Sequence, residues 1–425
     1  MRNQVGFLLL LAAATLTARA QLVYEENLSP DDPAIRYTST PATDVVATLA
    51  ARLEAGSTSF GARGPTETLR ELLRELDVRP DSQVLAFSKT SVQHARVSPR
   101  TPRAIYFNDR VAIAIVPGAD SLELAASDPR QGVVFYTLDG LSGAKPVLTR
   151  RNACLSCHQG PATVGVPGWF VSSVFPSASG RPSRDDAIVT DHRTPFADRW
   201  GGWYVTGTMG GTRHRGNAVA PDPAAPTTLD RTHAANVTSL AGRFDAAAYL
   251  TPESDLVALM TFEHQTQMLN LFTRLGWETR MSSDGRAGAR TRLDARVEDV
   301  VRYMLFADEA ALPSPMAGVS GFARTFAERG PRDGRGRSLR DFALDRRLFR
   351  YPLSYMIYSD AFDALPERSR ERVYARLLDV LTGADRSPTY ARLTQEDRTA
   401  VLEILRETKV GLPDTWRRAS RPPRP

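Results

Sequence analysis

The sequence predicts an α+β fold, with antiparallel strands before and around a short cysteine–histidine motif and a mainly α-helical C-terminal half. Three observations lead there. Apolar residues between Gln83 and Leu138 alternate with a period near two, the signature of half-buried strands. From Thr251 onward they recur every three or four residues, the helical spacing. Residues 140–250, between these halves, are rich in Gly and Pro with scattered aromatics, the texture of loops.

Taken in order, residues 1–20 read as an export signal. Arg2 gives a positive start, Phe7 to Leu16 is an apolar run too short to span a bilayer, and Ala18-Arg19-Ala20 has small residues where a signal peptidase cuts. Residues 21–82 form an N-terminal helical segment. Thr43 to Ala55 and Thr66 to Leu76 have helical spacing, the second with Leu69, Leu72, Leu73 and Leu76 on one side, and Gly56 and Gly64-Pro65 separate them. Residues 83–250 form a strand-rich, loop-rich region. Q-V-L-A-F-S, A-I-Y-F-N, V-A-I-A-I-V, S-L-E-L-A and V-V-F-Y-T-L, punctuated by Asn108-Asp109, Pro117-Gly118 and Asp128-Pro129, predict an antiparallel meander of four or five strands. W-F-V-S-S-V-F and G-W-Y-V-T-G read as further strands.

Residues 251–410 form the helical part. Thr251-Pro252 is the expected start, as N-cap and first-turn proline. Val257, Met260, His264, Met268, Leu271 and Leu275 make one buried stripe that Gly276 should close. More helices are expected near 294–308, 367–382 and 394–408. Residues 329–338, R-G-P-R-D-G-R-G-R-S, read as a mobile basic loop, and 411–425 as a disordered basic tail.

Composition narrows the function classes. A hydrophobic share of 42% in 425 residues supports ordinary packed cores, in two or three domains of roughly 150 residues. The formal charge of +6 is modest for this length. Lysine appears only at Lys89, Lys145 and Lys409, leaving 51 of the 54 basic residues as arginine. Those arginines are interleaved with acids and no nucleic-acid-reading motif accompanies them, so nucleic acid is not an expected partner. No stretch after the signal approaches the length of a transmembrane helix.

The two cysteines ask for a chemical explanation. Cys154 and Cys157 lie in R-N-A-C-L-S-C-H-Q-G, directly before His158. A chain this long does not need a disulfide staple. A structural zinc site wants four protein ligands, and no second cysteine pair exists. A thioredoxin-like pair wants a βαβ setting, whereas the strands upstream read as antiparallel. Two thiols on one helical turn can instead add to the two vinyl groups along one porphyrin edge, with the next histidine reaching the iron. Zinc and a disulfide stay open as lesser readings. Export agrees with haem, since covalent attachment in bacteria takes place outside the cytoplasm.

C-L-S-C-H resembles the attachment motif of c-type cytochromes within secreted bacterial monohaem proteins. The resemblance covers only these residues; the chain is longer than a small cytochrome and lacks a second C-x-x-C-H. It implies one covalent haem c, thioether bonds at Cys154 and Cys157, and His158 as proximal iron ligand. For the sixth position the candidates are Met209 in the glycine-flanked V-T-G-T-M-G-G-T, then His214, then His264 with Met268 one turn on, and His192. Asp191 could instead make His192 an acid–base residue. An open position is the remaining case. Arg150, Arg151, Arg193 and Arg213 are candidates to pair with haem propionates, and Trp169, Trp200 and Trp203 to wall the haem.

The expected function is that of an exported, periplasmic or secreted, monohaem protein passing electrons to a redox partner protein, or the haem part of an oxidoreductase. The alternative is a haem-dependent sensor or partner-binding module using the Arg-rich 329–338 loop and the basic tail.

Overall fold

The computed structural model describes residues 26–61, 64–142, 145–183, 187–282 and 289–418. The export signal expected at residues 1–20 lies outside them. The fold is α+β, with an antiparallel sheet in the N-terminal half and helices in the C-terminal half.

Two helices come first, α1 (Val45–Glu54) and α2 (Pro65–Glu75). Asp44 caps α1, its Oδ1 accepting the N–H groups of Val46 and Ala47. A meander follows: β1 (Val84–Ala86), β2 (Arg103–Phe107), β3 (Val111–Ile115), β4 (Ser121–Asp128), β5 (Gly132–Asp139) and β6 (Val147–Arg150). The C-L-S-C-H turn contains α3 (Leu155–His158). Beyond it, β7 (Val171–Ser173) pairs with β8 (Ile188–Thr190), and β9 (Trp203–Tyr204) returns to the main sheet. That sheet has seven strands in the order β6-β5-β4-β3-β2-β1-β9. It extends beyond the four or five strands expected because β6 and β9 complete it. β6 is an edge strand with Val147 exposed, and its residues lack the apolar alternation that marks the others.

The sheet separates two apolar clusters, as period-two alternation requires. One face, with Leu85, Tyr106, Ile113, Leu124 and Tyr136, packs on Leu49, Leu69, Leu72 and Leu73 of the first two helices. The other, with Ala86, Ile105, Phe107, Ala112 and Phe135, joins the core of the C-terminal half. The helical part and the sheet therefore share one core.

The centre of that core is α4 (Leu256–Met281). Its apolar stripe is present, but the helix is buried on all sides from Leu256 to Asn270, because the sheet covers one side and later helices the other. It starts at Asp255 rather than at Thr251-Pro252. The Thr251 and Glu253 carbonyls are taken by the Gln83 side-chain amide, and Ser254 Oγ bridges β1 and β9 by accepting from Leu85 N–H and donating to the Tyr204 carbonyl. Nor does Gly276 close it; the helix runs on to Met281.

α5 (Ala289–Met304), α6 (Phe322–Glu328), the short hairpin β10 (Phe342–Ala343) and β11 (Arg347–Phe349), α7 (Asp360–Asp363), α8 (Glu367–Thr382), α9 (Gln395–Thr408) and α10 (Asp414–Arg418) complete the chain. Two expectations need correction here. The 329–338 segment is tied down: Arg329 pairs with Asp77, Arg332 with Asp341 at 3.0 Å, Arg335 with Glu403 at 2.9 Å, and Arg337 with Asp333 and Glu403. Its charges are local partners rather than a free basic patch. The tail is ordered through Arg418, because Trp416 is fully buried against Tyr374 and anchors α10; residues 419–425 lie outside the described set.

Asp255 concentrates the capping of α4. Its Oδ1 accepts from Val257 and Ala258 N–H at 2.8 and 3.1 Å, and its Oδ2 from Val319 and Ser320 N–H, both at 2.9 Å. Asp255→Ala leaves four buried or half-buried donors without their acceptor and should cost about 2–4 kcal/mol in urea unfolding. A loss under about 1 kcal/mol would contradict that role.

Candidate functional site

The C-L-S-C-H turn is placed by the strands on either side of it. Arg151 N–H continues the β5 pairing to the Phe135 carbonyl, and its guanidinium reaches Asp139 and Thr137, each at 2.8 Å. Arg150 stacks on Tyr37 and donates to the Tyr37 carbonyl at 2.7 Å and to Gln131 Oε1 at 3.0 Å. The chain then winds through a 3-10 turn (Asn152–Cys154) into α3. This puts both cysteines and His158 within about one turn of a short helical segment.

Both thiols are free. Cys154 is half-buried, and burial first, then the charge of Glu123, pushes its thiol up. Cys157 is exposed. His158 is held in one orientation by two reciprocal bonds with Gly168: its carbonyl accepts Gly168 N–H at 2.9 Å, and its Nδ1 lies 3.1 Å from the Gly168 carbonyl. A carbonyl can only accept, so Nδ1 carries the proton and Nε2 the free lone pair. Burial also holds this imidazole below its ordinary range, so it stays neutral near pH 7. The ring packs 4.7 Å from Phe135 and 5.6 Å from Phe170.

Gly168 is needed for a steric reason. A Cβ there would meet Asn270 Oδ1 of α4 at 2.1 Å. Asn270 in turn donates to the neighbouring Trp169 carbonyl at 2.9 Å. The motif is thus docked on the second half of α4.

On the sheet beside it, Glu123 of β4 lies opposite Thr137, one diagonal step from Phe135, which lies opposite Ala125. Arg103 Nη1 donates to Glu123 Oε2 at 2.9 Å, while Glu123 Oε1 is buried with no partner. Ala114 of β3 lies opposite Glu123, and Ala125 lies two residues along β4 on the same face. An orphaned carboxylate oxygen beside small residues and an imidazole whose Nε2 is unbonded fits a bound group that carries its own polar atoms. Sequence reasoning did not single out Glu123, Arg103 or Gly168. The alternation in S-L-E-L-A, which sets Glu123 apart from Leu122 and Leu124, was the available signal for the first.

The structure places the candidate sixth ligands elsewhere. Met209, 1% exposed, sits on a loop whose Gly207 packs on Leu256 at the start of α4. That is 14 residues, or about 21 Å along the helix, from Asn270. His214, 3% exposed, packs edge-on against Trp200 at 5.3 Å, and burial lowers it to about 4. His264 and His192 bond to each other, Nδ1 to Nδ1 at 2.8 Å, and His264 Nε2 bonds Ser354 Oγ at 2.7 Å. Tyr303 stacks on both rings. Met268 lies on the opposite side of α4 from Asn270. Among the described residues, none of these five touches the His158 ring.

The accessory residues are likewise engaged. Asp191 pairs with Arg193 at 2.6 Å rather than with His192. Arg213 is exposed on the loop that buries His214. Trp169 follows Gly168 and packs on Phe262, whereas Trp200 is buried between Phe196 and His214, and Trp203 donates to the Ser172 carbonyl. Among the described residues no group of three or more His, Cys, Asp or Glu side chains is arranged to hold a metal ion, so the cysteine pair lacks the further protein ligands a closed zinc site needs.

Comparison with protein-family models, with curated proteins and with solved structures finds no match to this chain.

The buried imidazoles make acid stability a direct test of this geometry. His214 takes up a proton on unfolding at any pH between its ordinary range and about 4, so stability falls as pH drops through that window. Between pH 7.5 and 4.5 its share should be about 2.5 kcal/mol. His214→Gln should flatten the pH dependence of the urea midpoint, and an unchanged slope would place the imidazole in water.

Proposed function

We propose that the protein carries one haem c, bound through Cys154 and Cys157 with His158 as axial ligand, and acts outside the cytoplasm as a haem oxidoreductase whose iron is open to an external ligand. The observation that carries the reading is His158 itself: directly after the second thiol of the turn, neutral, with Nδ1–H committed to Gly168 and Nε2 free to ligate. Each thiol adds across one vinyl group; the S–C bond forms as the thiol hydrogen passes to the other vinyl carbon, so no oxidant is needed.

The bound group would supply one-electron ferric–ferrous chemistry. The chain's part is to orient and to tune. Gly168 fixes the ring plane of His158 and raises its basicity through the Nδ1–H bond. Phe135 and Phe170 keep water from that ring. Glu123, held by Arg103, offers a buried carboxylate oxygen able to accept a hydrogen bond beside the site. An open sixth position is favoured over Met209, His214, His264 or His192 because each of those is buried in a separate part of the core. The sensor alternative keeps only the basic tail as its motive, since the arginines of 329–338 are paired within the fold.

Produced in a host competent for haem maturation, the protein should keep haem on the polypeptide after denaturation. Cys154→Ser with Cys157→Ser should lose it, and a denatured wild-type chain free of haem would end the proposal. The ferric protein should bind cyanide with a spectral shift, and a low-spin spectrum indifferent to cyanide would overturn the open position. Glu123→Gln removes a negative charge near the iron and should raise the reduction potential by tens of millivolts; an unchanged potential would separate Glu123 from the site.

A further inference from the structure

A second site stands apart from the cysteine motif and does not depend on haem. Between the C-terminal end of α5, the strand β11 and the start of α9 lies a cavity of about 180 Å³. It is comparable with the roughly 150 Å³ cavity that admits benzene in a well-studied core variant. Leu305, Phe306, Pro352 and Leu393 give it apolar walls. Phe306 holds this place in a left-handed conformation, φ 54°, just beyond the end of α5, where glycine is the usual residue.

The polar lining has an unequal charge. Arg346, Arg347 and Arg392 face Asp397 and Glu309. Arg347 is paired with Asp397, yet its Nε is buried without a partner. Arg392 is bound to the Glu309 carbonyl. Arg346 is exposed at the rim, and its guanidinium has no partner among the described residues. Glu309, 7% exposed, accepts Leu348 N–H on Oε1 at 2.9 Å, and its other oxygen has no partner among the described residues.

We propose that this cavity binds a small monocarboxylate with an apolar body, its carboxylate at Arg346 and the orphaned Arg347 Nε, and its body along Phe306 and Leu393. The cavity volume sets the size, the apolar walls exclude a bare inorganic anion, and the surplus guanidiniums select negative charge.

Protonation of Glu309 governs occupancy. Burial pushes its carboxyl up to about 7, against the opposing charges of Arg199, Arg392 and Arg347 and the Leu348 N–H bond. Asp397 and Arg346 are the other charged groups on the cavity wall. Below about pH 7 Glu309 is neutral and three guanidiniums face one carboxylate. Above it a second carboxylate opposes the ligand.

Benzoate is a suitable probe, because it stays an anion at both pH 6 and pH 8. Titrated calorimetrically into the full chain, it should bind saturably at pH 6 with one site and about tenfold more weakly at pH 8, the ratio of neutral Glu309 at the two values. Arg346→Gln, an exposed change that leaves the fold intact, should weaken binding at pH 6 about tenfold. Glu309→Gln, which keeps an acceptor for Leu348 N–H, should bind equally at both pH values. No saturable binding at pH 6, binding that strengthens as pH rises, or binding indifferent to Arg346→Gln would each overturn the proposal.

Discussion

A helix buried on all sides must find partners for its polar side chains, and in α4 that constraint organises the rest of the molecule, with Asn270 Oδ1 left without one. The run Glu263, His264, Gln265, Thr266, Gln267 and Asn270 is buried without exception. Glu263 takes Thr190 Oγ1 at 2.6 Å and Arg199 at 3.3 Å; His264 takes Ser354 and His192; Gln265 donates to the Asn108 carbonyl and accepts from Tyr355; Asn270 donates to Trp169. The bonds end on several different loops and strands. Satisfying one helix therefore fixes β8, the loops at 108, 169 and 192, and the turn at 354, in a region where Gly and Pro would otherwise leave the backbone loose.

The buried charges follow the same logic. Arg199 and Glu263 are 2% and 0% exposed. Arg199 donates further to the Thr194 and His192 carbonyls, so its donors are spread over a loop as well as a carboxylate. A buried pair of this kind contributes little net stability relative to apolar packing, but removing one partner leaves the other charge uncompensated. Its effect is to specify one arrangement of residues 190–199. The neighbouring imidazoles are kept uncharged instead: burial holds His264 at about 3, and His192 has the same cause acting in the same direction. In this part of the core, charge is kept where its counter-charge is built in.

What was legible in the sequence and what was not divides along sequence separation. The first five strands of the meander, α1, α2, α8 and α9 could be read from local periodicity, because each is defined by neighbours within a few residues. The start of α4 could not, because it is decided by Gln83, some 170 positions away, taking the carbonyls that would have opened the helix earlier. Arg-rich 329–338 reads as solvated until Asp77 and Glu403 are known to face it. The ligand candidates failed to converge for a related reason. A histidine on an apolar stripe reports burial, and His264 is buried, but its partners at positions 192 and 354 carry no local signature.

The cysteine motif shows the opposite case, a site whose essential geometry is local. Its spacing alone puts the thiols and the imidazole on one helical turn, and the fold contributes mainly the orientation of His158. That orientation comes from Gly168, and Gly168 can occupy its place only because α4 presents the short Asn270 side chain there and because glycine has no Cβ to strike it. The imidazole is therefore preorganised through two contacts, and its tautomer is set by the chain itself. The exposed Cys157 and half-buried Cys154 leave the thiols open to covalent chemistry from the solvent side. Under the haem reading, attachment completes a site whose imidazole is already aligned, and the polar residue beside it is Glu123, whose Oε1 is buried without a partner.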